Sequence, residues 1–223
     1  MAINPELLKT ACYFNNLSQT ALDDVGRYVF EKKLPPGEFI LWEGGKDDSI
    51  YFVVTGLLKL FSTSAEGREF IVRIVYGGDS LNDDNLLVKE SSLLGASAMT
   101  PVVLYGLRFA DLQKILESHP AVRSRIIEVL AGRHRFMVKL SKELVFKNVT
   151  GRLSRLLLER ESLVRAGPDN QRITQQDMAS MIGTVRELVS RSLKELESMG
   201  AIDIEHNQLI IKNRKRLEEL SIV

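Results

Sequence analysis

The spacing of apolar positions changes character along this chain of 223 residues. Between residues 38 and 107 it runs in short apolar stretches: EFILWEGG, SIYFVVTG, LLKLFSTS, REFIVRIV and MTPVVLYGL. Nine of the fifteen glycines fall between Gly37 and Gly106, so turns punctuate these stretches. Ala65-Glu66-Gly67 reads as a hairpin turn between two of them. Many short strands at such spacing predict an all-β barrel or roll.

From Phe109 to about Phe146 the pattern becomes helical, and His119-Pro120 is its main interruption. Proline opens a second helix without cost, because the first-turn N–H it lacks has no partner anyway. In that helix Ile126, Leu130, Arg133, Met137, Leu140 and Leu144 alternate at spacings of four and three. This is a heptad seam with one charged member. It predicts dimerisation, or packing of the helix onto its own β-roll.

The last third, from about Asn148, opens with the helical stretch NVTGRLSRLLLERESL and the polar loop RAGPDNQR. Thr174-Gln175-Gln176-Asp177 has the form of a capping box. It precedes a short helix, QQDMASMI, a turn at Gly183, and a second helix in which Val185, Val189, Leu193 and Leu196 form a buried stripe. Gly200 ends that helix. AIDIEHNQLIIK reads as a β-hairpin, and RKRLEEL as a final helical turn or two. Counted from Gln175, the small Ala179 is fifth, Gly183 ninth and Val189 fifteenth. These positions suit a close helix crossing, a turn that a side chain would strain, and a core plug. Together they predict a winged helix-turn-helix.

The outer face of the second helix carries Thr184, Arg186, Glu187, Ser190, Arg191 and Lys194. The N-terminal half of a recognition helix meets base edges in the major groove. Arginine bonds guanine in bidentate fashion, and a carboxylate accepts from cytosine. The rival reading is a solvated face with Glu187 and Arg191 paired at i, i+4. Net charge is +1, so any nucleic-acid site is local. Residues 149–223 hold 12 Lys and Arg against 11 Asp and Glu. Binding then rests on a few placed cations, Lys194 and the Lys212–Arg216 cluster among them.

Other chemistry is scarce. The lone Cys12 excludes an internal disulfide and an all-cysteine metal site. His119, His134 and His206 lie in no nucleophile–base arrangement, and there is neither a GxSxG nor a phosphate-binding loop. An enzyme is not expected. No signal peptide and no membrane span are read, so a cytoplasmic protein is expected.

PPGEFILWEGG, YFVVTGLLKLF, EGREF, GGDSL, VTGRLSRLLL and above all ITQQDMASMIGTVRELVSRSLKELESMG give the chain its family resemblance. It resembles the CRP/FNR family of bacterial transcription regulators over nearly its whole length. The fold class that follows is α+β. A β-roll sensor (a cupin-like jelly roll) spans residues 1–110, a long dimerisation helix and hinge 111–147, and a winged helix-turn-helix 148–223. The resemblance implies a homodimer on double-stranded DNA, control by a small-molecule effector in the β-roll, and contact with RNA polymerase, for which the loop 165–171 is a candidate. The pattern Arg186-Glu187-x-x-x-Arg191 resembles the cyclic-AMP receptor type and implies palindromic sites with TGTGA-like halves. A ligand-binding scaffold whose winged helix binds protein is the rival reading.

The effector region departs from the family's cyclic-nucleotide pattern. Asn82-Asp83 stand in place of Gly-Glu, Ser92-Leu93 in place of Arg-Ser, and Met137-Val138 in place of the polar pair that meets adenine. A cyclic phosphate needs a cation or a ring of donors, so an effector other than cyclic AMP is expected. The iron–sulfur members' cysteines are absent. The pocket candidates are Asn82, Asp83, Asn85 and Arg133, with Phe136, Met137 and Leu140 as an apolar wall. Arg133 pairs either with Asp83 or with an anionic ligand. Haem, used by some family members to sense carbon monoxide or nitric oxide, is an alternative, with His119, His134 or Met137 as axial ligand.

Overall fold

Among the described residues, the apolar stretches between residues 29 and 108 fold as eight short strands in two four-stranded sheets. The computed structural model describes residues 3–83, 90–164, 174–205 and 208–222. Two short helices, α1 (Pro5–Lys9) and α2 (Gln19–Gly26), precede the strands. Each has a polar N-cap, Asn4 accepting from the Glu6 amide and Ser18 from that of Ala21. The hydrophobic pattern announces neither.

One sheet orders β1 (Val29–Leu34), β8 (Val102–Arg108), β3 (Ser49–Thr55) and β6 (Ser80–Leu81). The other orders β2 (Phe39–Leu41), β7 (Gly95–Ala98), β4 (Leu58–Thr63) and β5 (Glu69–Val75). The stretch EFILWEGG contributes only three residues to its strand before the chain turns. The hairpin expected at Ala65-Glu66-Gly67 is present, with the Ser64 amide bonded to the Arg68 carbonyl at 2.8 Å.

β3 is buried on both faces, so alternate side chains serve different cores. Tyr51 and Val53 join Leu34, Leu58, Leu60, Leu81 and Leu104 between the sheets. Ile50 and Phe52 join Phe14, Leu22, Leu107 and Ile115 under the helices. Sliding the register by one residue exchanges these two sets, so both cores fix it.

Helix α3 (Phe109–Ser118) ends before Pro120, which opens the 27-residue α4 (Pro120–Phe146). α5 (Val149–Val164), α6 (Gln175–Ile182), α7 (Arg186–Ser198), β9 (Ile202–Glu205), β10 (Gln208–Ile211) and α8 (Arg214–Leu220) follow. β9 and β10 pair antiparallel as the wing. Among the described residues no helix is long and apolar enough to cross a membrane.

The contacts divide the chain into two units. One comprises residues 1–62 and 72–135, the other residues 63–71 and 136–223. Of the heptad seam, Ile126 and Leu130 are taken up by the first unit's own core, whereas Met137 and Leu144 are exposed.

Candidate DNA interface and effector site

In the second unit the core that positions the helix-turn-helix is made by Leu153, Leu157, Met178, Ala179, Ile182, Val189, Leu193, Leu196 and Leu217. α6 starts with a complete capping box. The Thr174 hydroxyl accepts from the Asp177 amide, and the Asp177 carboxylate accepts from the Thr174 amide at 2.9 Å. Ala179 is fully buried, consistent with a close helix crossing. α6 ends at Gly183, which adopts φ +66° and ψ +50°. A Cβ there would also lie 3.1 Å from Leu144 Cδ2, so both conformation and space select glycine.

Helix α7 begins directly after this turn. Val185, expected in the buried stripe, is instead the N-cap and is 36% exposed; Val189, Leu193 and Leu196 carry the stripe. Arg186, Glu187, Arg191 and Lys194 are exposed, and Thr184 and Ser190 half-buried. Among the described residues the side chains of Arg186, Glu187, Arg191 and Lys194 have no hydrogen-bond or ion-pair partner. The local Glu187–Arg191 pair is therefore not formed, and the face presents its charges outward.

Two polar groups missed in the sequence hold this helix pair in place. The Arg152 guanidinium donates to the carbonyl of Ile182 at 2.8 Å and to that of Lys147 at 2.7 Å, joining the end of α6 to the chain just after α4. Burial lowers its pKa from the usual arginine value. The Thr150 hydroxyl lies 3.0 Å from that of Ser192 and 2.7 Å from Glu195 Oε2, tying α5 to α7. The basic cluster after the wing is mostly paired with its own neighbours: Lys212 with Asp203, Arg214 with Glu218 and Arg216 with Glu219.

The effector candidates of the first unit are drawn together but face inward. Asn82 adopts φ +68°, a conformation that asparagine tolerates better than most residues. Its amide donates to the Ser49 carbonyl at 2.7 Å, and it accepts from the Ser92 hydroxyl at 3.2 Å. Asp83 pairs with Arg133 and accepts from the Tyr13 hydroxyl at 2.7 Å and the Ser80 hydroxyl at 3.3 Å. Burial raises the Tyr13 pKa, so it acts here as a donor. Of the two expected partners for Arg133, Asp83 lies against it.

Sequence reasoning missed Tyr13, Ser80 and Arg73 in this cluster. No local spacing connects them, because they come from the segment after α1, β6 and β5. Asn85 lies outside the described residues. Phe136 and Met137, 40% and 44% exposed, and half-buried Leu140 belong to the second unit. His119 is held by Asp24 at 3.1 Å, and His134 and Met137 are exposed. His206 and the loop 165–171 lie outside the described residues.

A β-roll followed by a long helix and a winged helix-turn-helix with an open polar face defines a DNA-binding regulator. The Crp-like helix-turn-helix domain matches residues 151–220, and the cyclic nucleotide-binding domain matches residues 31–119. The chain is 23% identical over 220 residues to the CRP-like cAMP-activated global transcriptional regulator of Mycobacterium tuberculosis, covering 95% of this chain and 97% of that protein. It is 25% identical over 185 residues to the cAMP-activated global transcriptional regulator CRP of Pasteurella multocida, covering 80% and 88%. Among solved structures it is similar to the c-di-GMP responsive global regulator CLP of Xanthomonas campestris, with a TM-score of 0.77, 18% identity and coverage of 87% and 99%. It is also similar to FixK2 from Bradyrhizobium japonicum, with a TM-score of 0.72, 24% identity and coverage of 86% and 96%. The chain belongs to the CRP/FNR family of transcription regulators. It is a regulator with a DNA-binding helix-turn-helix, not an enzyme.

Proposed function

We propose that the protein acts in the cytoplasm as a homodimer on palindromic DNA with TGTGA-like half-sites, under the control of a small-molecule effector other than cyclic AMP. The observation that carries this reading is the outward, unpartnered face of Arg186, Glu187 and Arg191 at the start of α7. Arg191 and Arg186 supply bidentate donors for guanine, and Glu187 an acceptor for the cytosine amino group. Ser190 and Thr184 stand beside them, and Lys194 meets a phosphate. Ile127, Val138 and Val145, 68%, 44% and 73% exposed on α4, support pairing of that helix with a second copy. The working division is a sensor over 1–110, the long helix and hinge over 111–147 and the DNA reader over 148–223. RNA polymerase is a further partner of the reader.

The effector shifts the population between two settings of the readers, through its differential affinity for one of them. The two recognition helices must lie about 34 Å apart to enter successive major grooves. Its contacts in the first unit are sought at Asn82, Asp83 and Arg133, with Asn85, outside the described residues, as a further candidate. The pairing of Asp83 with Arg133 supports an effector unlike a cyclic phosphate.

The test is binding to a duplex carrying the palindrome, to single-base variants of it and to unrelated DNA, across a salt series. Tight binding to the palindrome, weakened at one guanine by Arg191→Ala, is the expected result. Equal losses on every sequence overturn base reading, and salt-independent retention would point to a protein partner instead. Calorimetry with cyclic AMP tests the effector: micromolar binding overturns its exclusion.

A further inference from the structure

Arg133 and Arg73 approach the same backbone atom. Arg133 donates to the Ser80 carbonyl at 2.8 Å, and Arg73 donates to it at 3.0 Å. Arg133 also donates to the Ser80 hydroxyl at 2.8 Å. Two guanidiniums this close repel each other. Burial, and after it the charge of Arg73, lowers the pKa of Arg133 from the usual arginine value. Such a pair requires an anion, and a carboxylate matches the fork of a guanidinium.

The chain supplies that anion. The Asp83 side chain is 0% exposed and pairs with Arg133. Tyr13 and Ser80 donate to its oxygens at 2.7 and 3.3 Å. Asp79 lies 4.0 Å from Arg73 as the second acid of the group. One donor is left over: Arg133 Nε is buried with no hydrogen-bond partner. The fork is thus only partly used by the carboxylate that fills it. All these residues belong to the first unit.

We propose that Arg133, Arg73, Ser80 and Tyr13 form a carboxylate-binding site whose occupant is the tethered carboxylate of Asp83. This goes beyond the function proposed above: the chain is its own ligand here. A free carboxylate enters only when the Asp83 carboxylate is removed.

Sodium formate is the probe. Thermal unfolding of the wild-type chain, Asp83→Ala and the double variant Asp83→Ala/Arg133→Met is followed in formate and in chloride of equal ionic strength. Breaking a buried pair on one side is strongly destabilising, so Asp83→Ala melts about 10 °C below wild type in chloride. It regains a large part of that loss in formate, while the wild type and the double variant do not respond. An unresponsive Asp83→Ala, or an equal response in all three, overturns the proposal. Where Asp83→Ala does not fold in chloride, refolding from urea is compared in the two salts. Recovery in formate alone supports the site, and failure in both overturns it. The result is independent of DNA binding, so the two proposals fail separately.

Discussion

Arginine and carboxylate side chains meet opposite fates in the two units. Asp83, Arg133 and Arg73 turn inward and are held with Ser80 and Tyr13 in one hydrogen-bonded cluster. Arg186, Glu187 and Arg191 on α7 turn outward and, among the described residues, have no hydrogen-bond or ion-pair partner. Residue type alone does not distinguish the two groups. Burial does: a buried charge must be matched from within, whereas an exposed one keeps water until a partner replaces it. The first arrangement holds segments together, and the second is available for recognition.

Leu193→Ala should have the largest effect, because it removes the support of the exposed face without touching the face. Leu193 is 3% exposed in the second core, and the substitution should cost about 2–5 kcal/mol, read as a lower denaturant midpoint. DNA affinity should fall with the folded fraction while sequence preference survives. Arg191→Ala should do the reverse. Stability should change little, and discrimination at one guanine should fall by about 1–3 kcal/mol, measured by competition between palindromes. A stability loss as large as that of Leu193→Ala would show that Arg191 belongs with the inward group.

Thr174→Ala removes the capping box of α6 and should cost about 1 kcal/mol in unfolding measurements, with sequence preference unchanged. Lys194→Ala should be the mildest. It should weaken all sequences alike and reduce the slope of log affinity against log salt by about 1. A sequence-dependent loss would move Lys194 from the phosphate to the bases.

The reader was legible because its requirements are local. A capping box, a small residue, a glycine and a plug at fixed offsets describe one short segment, and each is found in its role. Val185 departs because a helix start needs an extended residue before it, and the apolar period does not mark that boundary. The β-roll was legible as strands, since glycine punctuation and β-branched runs are also local. The Asp83–Arg133 pair was one of two readings left open by a charge in an apolar seam. Its companions Tyr13, Ser80 and Arg73, and the double bond of Arg152, were not legible. They join segments that meet only in the folded chain.

Gly183 and the buried stripe carry the shape of α7, while Arg186, Glu187 and Arg191 carry none of it. On the proposed reading, mutation can therefore rewrite what the helix reads without first having to preserve how it folds. A lineage built on this scaffold can exchange target sequences by a few surface changes, each screened for recognition alone. The inward cluster has no such freedom, since altering one member strands the others. The same chain thus holds a rapidly adaptable address and a slowly changing frame.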